Sequence, residues 1–181
     1  MKYYAGIGAR EIPEDVHNEL VSIGLRLAQN GWTLRSGGAQ GADSAFEFGN
    51  DCCSSPPPSK EIFLPWKGFN NNISPLYFHS IPPELESIAK KIYLGWDNVS
   101  IGVKKLHARN VQQILGENPG TSEPSQFVVC WTLRPVTQFG GTRFGMKLAE
   151  LNGIPVYNLA IEEEKEKFYE EIFQKEQHGK K

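Results

Sequence analysis

Trp32-Thr33-Leu34-Arg35-Ser36-Gly37-Gly38-Ala39-Gln40-Gly41-Ala42-Asp43 is the stretch whose reading decides the fold. Residues 32–35 carry large apolar and β-branched side chains and read as a short strand. A glycine-rich turn over 36–43 follows, and then a short helix carrying Phe46 and Phe48. Strand, glycine turn and helix in that order make a βα junction. Glycine lets the backbone turn sharply and approach a ligand without a Cβ in the way. The helix start adds unpaired N–H groups and a partial positive charge, which suit phosphate.

The same pattern recurs on both sides. Lys2–Gly8 is a short apolar strand ending in Gly6-Ile7-Gly8, with Arg10 just beyond. Pro13 opens a helix over Glu14–Gln29, with Val16, Leu20, Ile23 and Leu27 at helical spacing and Asn30-Gly31 as its stop. Gly24 within it marks a close packing contact. Residues 126–131 form an apolar strand of the kind buried on both faces of a parallel sheet. Gly140-Gly141-Thr142-Arg143 opens a helix to about Leu151, and 154–159 is the last strand.

The intervening chain fills the frame. Residues 52–60 contain Ser54-Ser55-Pro56-Pro57-Pro58-Ser59 and read as a loop, 61–66 as a third strand, and 67–80 as irregular. Helices are expected over 83–93 and 103–115. Residues 161–177 mix Glu and Lys around Phe168, Tyr169, Ile172 and Phe173, an amphipathic helix suited to packing or dimerisation. Alternation of apolar strands and helices predicts an α/β fold: one Rossmann-like domain over 1–160, its mostly parallel sheet flanked by helices, then a C-terminal helix and tail over 161–181.

Composition bounds the function. The 181 residues fit one domain, and a net charge of -2 gives no bulk attraction to nucleic acid. No apolar run is long enough to span a membrane, and no signal pattern opens the chain. The three cysteines, Cys52, Cys53 and Cys130, form neither a disulfide framework nor a zinc spacing, so a cytoplasmic location and no metal are expected. Cys130 reads as a buried small hydrophobe and His79 as structural. The P-loop pattern is absent, and Glu11 stands where a dinucleotide fingerprint needs its third glycine. No cofactor is expected.

In parallel sheets ligands bind beyond the carboxyl ends of the strands. The candidate ligand-binding residues are therefore Gly8, Arg10, Ser36, Gly37, Gly38, Gly41, Asp43, Gly140, Gly141, Thr142 and Arg143. Asp43 also reads as the cap of its helix. Asp43 and Glu47 are the carboxylates available if the protein is an enzyme. Trp66 and Trp131 end strands on the same side, placed to stack on a base or to close the core.

Two motifs carry a family resemblance: Tyr4-Ala5-Gly6-Ile7-Gly8-Ala9-Arg10, and Arg35 through Asp43. Glu61-Ile62-Phe63-Leu64-Pro65-Trp66, Lys105-Leu106-His107-Ala108-Arg109-Asn110, Phe127-Val128-Val129-Cys130-Trp131, Gly140-Gly141-Thr142 and Gly153 through Leu159 extend it over most of 1–160. Together they resemble the SLOG superfamily, a Rossmann-like group that includes the DprA/Smf DNA-processing proteins and the "lonely guy" (LOG) phosphoribohydrolases. Small DprA-like members carried by phages and prophages are the nearer likeness. The resemblance implies a ligand crevice at these loops, a homodimer or higher homo-oligomer, and a role for Arg109.

The chain departs from both well-known activities of that group. DprA-type members bind single-stranded DNA with an Ala-Arg-Gly-x-Asp second loop; here Gln40 replaces the arginine. LOG-type hydrolases carry Pro-Gly-Gly-x-Gly-Thr-x-x-Glu; here the leading position is Phe139, and Lys147, or Gly145 in the other alignment, stands for the glutamate. The expected function is thus binding of a phosphate-bearing nucleotide-type small molecule, without catalysis. The phage likeness implies sequestration of a host nucleotide signal in the host cytoplasm. A LOG-type nucleosidase and a DprA-like single-stranded DNA binder are the alternatives.

Overall fold

The computed structural model describes residues 1–133 and 140–174. Five strands form one sheet: β1 (Lys2–Gly8), β2 (Trp32–Ser36), β3 (Ser59–Ile62), β4 (Phe127–Trp131) and β5 (Val156–Asn158). Their spatial order is β3-β2-β1-β4-β5, and every pairing is parallel. The helices are α1 (Glu14–Gln29), α2 (Ala42–Asp51), α3 (Pro83–Ile92), α4 (Ile101–Leu115), α5 (Gly141–Leu151) and α6 (Glu162–Phe168). This is a single Rossmann-like α/β layer structure.

Strand side chains alternate faces, so a central parallel strand buries both faces and is mostly apolar. β4 is buried at all five of its residues. Tyr4, Leu34, Phe127 and Val129 join Leu20, Leu27 and Phe46 in one core, under α1 and α2. Ala5, Ile7, Val128 and Cys130 join Leu85, Val111 and Phe144 in the other, under α3, α4 and α5. The thiol of Cys130 lies in that second core, where burial pushes its pKa up.

Gly24 is where α1 meets α2: a Cβ there would sit 2.6 Å from the Phe46 carbonyl oxygen. Ser100 starts α4, its Oγ accepting from the Val103 N–H at 3.4 Å. The C-terminal α6 packs onto the sheet, with Phe168 fully buried against Phe127 and Tyr157. Lys165 and Tyr169 both reach Glu19 on α1.

Three boundaries differ from the sequence expectation. The third strand is Ser59–Ile62, not 61–66. Its polar residues 59–60 pair at the sheet edge, where exposure tolerates them, and Pro65 lacks the N–H that a longer strand needs. The last strand shrinks to Val156–Asn158, since Pro155 precedes it. After Phe168 the terminal helix widens into a π-helical turn over Tyr169–Gln174, and its expected extension to Gln177 lies outside the described residues. No described helix is long and apolar enough to cross a membrane.

Candidate functional site

The chain leaves β1 toward α1 on one face of the sheet and leaves β4 toward α5 on the other. Adjacent strands whose connections diverge open a crevice at their carboxyl ends. A cavity of about 450 Å³ lies there, lined by residues of the β1 loop, α2, α4, the β4 loop and the start of α5. That is within the roughly 300–1,000 Å³ of small-molecule sites.

Eight sequence-selected residues line it: Gly8, Arg10, Asp43, Arg109, Gly140, Gly141, Thr142 and Arg143. The other four do not line it, and each has a polar group engaged within the protein. Ser36 Oγ donates to the Gly6 carbonyl at 2.6 Å. Gly37 donates its N–H to Asp43 and accepts from Arg109. Gly38 accepts from Asn70 Nδ2 at 3.2 Å, and Gly41 accepts from Ser44 Oγ and the Ala45 N–H. Of the second glycine loop only Ala39 and Asp43 reach the cavity; the rest shapes the site from behind.

Asp43 is not the cap of α2. Gly41, at φ +78°, holds the cap position, which leaves Asp43 in the first turn. Its carboxylate turns back to accept N–H bonds from Gly37 at 3.2 Å and Ala39 at 3.3 Å. Burial pushes this carboxyl up to about 6, against the opposing pulls of the Arg109 guanidinium and the Ala39, Gly37 and Gly8 N–H groups. Burial lowers Arg109 to about 10, Asp43 pulling it back up and Arg10 pushing it further down. The Arg109 Nε is buried with no hydrogen-bond partner among the described residues.

Glu47 belongs elsewhere. It pairs with Lys60 at 2.9 Å and accepts from Asn72 at 3.0 Å, and it does not line the cavity. Trp131 is buried in the core, whereas Trp66 is 39% exposed. His107 is stacked between Tyr93 and Phe144, and burial lowers it to about 4. His79 stands edge-on to Tyr77, away from the crevice.

At the mouth the chemistry is cationic. Arg10, Arg109 and Arg143 line the cavity with a single carboxylate, Asp43, which pairs with Arg109. Arg10 and Arg143 make no ion pair among the described residues, and the Gly141, Thr142 and Arg143 N–H groups that open α5 have no partner there either. The first turn of α5 contains no acidic residue. Such a helix start favours an anion.

Sequence reading missed Asn110, Gln113 and Thr132, which also line the cavity. Thr132 is held by Asn158: the Thr132 N–H donates to Asn158 Oδ1 at 3.1 Å, and Asn158 Nδ2 donates to the Thr132 carbonyl at 2.9 Å. The available signal was polarity at 110 and 113 on the face that also carries Arg109, in a helix whose second half is otherwise core.

No protein-family model matches the sequence, and no curated protein matches it. Among solved structures, DNA processing protein A from Helicobacter pylori, described for its single-stranded DNA binding mode, is similar at 15% identity with a TM-score of 0.47. That likeness covers 87% of this chain and 64% of the other.

Proposed function

We propose that the crevice between the β1 and β4 loops binds a phosphate-bearing, nucleotide-derived small molecule without turning it over. One observation carries this reading: in an acidic chain, three arginines line one cavity with a single carboxylate, beside the unspent amides of α5. Binding without turnover is supported by the carboxylates. Glu47 is committed to Lys60, and Asp43 is wrapped by backbone N–H groups and Arg109. Lys147, in the place of the LOG glutamate, is exposed on α5 and outside the cavity lining. The family resemblance in the glycine loops supports the same ligand class and, through its phage-borne members, sequestration of a nucleotide signal.

The test incubates the protein with nucleoside monophosphates and cyclic nucleotides, denatures it by heat and chromatographs the supernatant. Intact ligand is the expected recovery. Free base in the supernatant means a LOG-type hydrolase instead. Light scattering on the same preparation tests the homodimer that the resemblance suggests.

A single-stranded DNA binder is the second reading, favoured by an aromatic extension of the same sheet edge. Trp66 is in edge contact with Phe69 at 5.2 Å, and Phe69 lies 5.7 Å from the Arg109 guanidinium. Bases stack on such platforms with little sequence preference. Oligonucleotide affinity measured at two salt concentrations decides: tight binding with a steep salt dependence favours this reading over the first.

A further inference from the structure

Helix α4 presents Asn110 and Gln113 to the cavity, one turn apart on the same face. Both are almost fully buried, at 3% and 2% exposure. The Gln113 carboxamide makes no hydrogen bond among the described residues; only its backbone carbonyl is engaged, by Ser125 Oγ. Asn110 donates one N–H to the Gly141 carbonyl at 3.4 Å, and its Oδ1 is unspent. Both residues line the cavity, so their unengaged amide atoms border it. Buried carboxamides without partners are costly, and two on one face of one cavity call for a complementary group.

Their chemistry selects that group. A carboxamide offers an acceptor and a donor together, whereas a phosphate only accepts. Arg109, beside them on α4, is already engaged by Asp43 and the Gly37 carbonyl, whereas Arg10 and Arg143, without an ion pair among the described residues, stand at the β1 loop and on α5. Resting on the proposed nucleotide-type ligand, we infer that Asn110 and Gln113 form a paired-amide reader. It fixes the uncharged donor–acceptor part of the ligand, and so sets specificity, while the phosphate is held at Arg10, Arg143 and α5. The same chemistry is found in ribose hydroxyls and in a nucleobase edge.

Calorimetric titration separates these cases, using inorganic phosphate, ribose 5-phosphate and the four common nucleoside 5′-monophosphates. Gln113→Met, of equal length, binds inorganic phosphate like the wild type and loses about tenfold in nucleotide affinity. An equal loss for ribose 5-phosphate assigns the amides to the sugar. A loss confined to nucleotides, with flattened preference among the four, assigns them to the base. Gln113→Leu, also uncharged and without amide groups, gives the same split if the Met variant does not fold. Unchanged nucleotide affinity in the variant, or equal losses for phosphate and nucleotide, overturns the inference alone. A wild type that binds no member of the panel overturns it together with the proposed function.

Discussion

Arg109 Nη1 lies 3.8 Å from Asp43 Oδ2, and the two side chains are each 6% exposed. The pair joins α4 to the second glycine loop: Arg109 donates to the Gly37 carbonyl while Asp43 accepts from the Gly37 and Ala39 N–H groups. Removing one partner of a buried pair leaves the other charge uncompensated. Asp43→Asn should cost about 3–5 kcal/mol in urea denaturation. Arg109→Met combined with it should cost less than the sum of the single changes. Additive costs would show that the two do not act as a pair.

A Cβ at Gly37 would fall on the Arg109 guanidinium and against the Gln113 amide. Both are the far ends of flexible side chains and would have to swing aside, which breaks the Arg109 bond to the Gly37 carbonyl. Gly37→Ala should therefore lower stability by about 1–3 kcal/mol, as overpacking does. It should also weaken ligand binding, although residue 37 does not line the cavity. Titration and melting of one variant sample check both effects.

The acid response has two opposing parts. His107 falls from 6.5 to about 4 in the fold, so its contribution to stability is full above pH 6.5 and lost as pH falls through 4. Asp43 rises from 3.8 to about 6, so its contribution is full below pH 3.8 and lost as pH rises through 6. His107→Phe keeps the ring stack with Tyr93 and Phe144 and removes the first part. Between pH 6.5 and 4 the variant should gain in Tm relative to the wild type. Parallel Tm profiles would mean that His107 does not titrate differently in the fold.

Phe168 ties the last described helix to the sheet core. Phe168→Ala should cost about 3–5 kcal/mol and leave a single unfolding transition. A small early transition with the main one unchanged would mark α6 as a separate unit.

β1 and β4 were legible because they are largely apolar on both faces, and Val16, Leu20, Ile23 and Leu27 spelled out α1 by spacing. The crevice was legible because glycine turns end β1, β2 and the loop before α5. What was not legible depended on tertiary contacts. Gly41 takes the cap position with its positive φ, which sends the Asp43 carboxylate back into the preceding loop. Glu47 lies one turn beyond Asp43, yet Lys60 on β3 draws it away from the site. The Lys104-Lys105 end of α4 suggests a solvated basic face, but from His107 to Ile114 the helix is buried. Only the fold shows that Asn110 and Gln113 look into a cavity.

The central claim is that the α5 start and its two unpaired arginines hold a phosphate. Calorimetric titration of wild type, Arg10→Ala and Arg143→Ala with inorganic phosphate and with nucleoside 5′-monophosphates tests it most directly. The wild type should bind nucleotide, and each variant should lose about tenfold or more in affinity, as charge-assisted hydrogen bonds disappear. Undiminished affinity in both variants, or a wild type that binds neither probe, would contradict it.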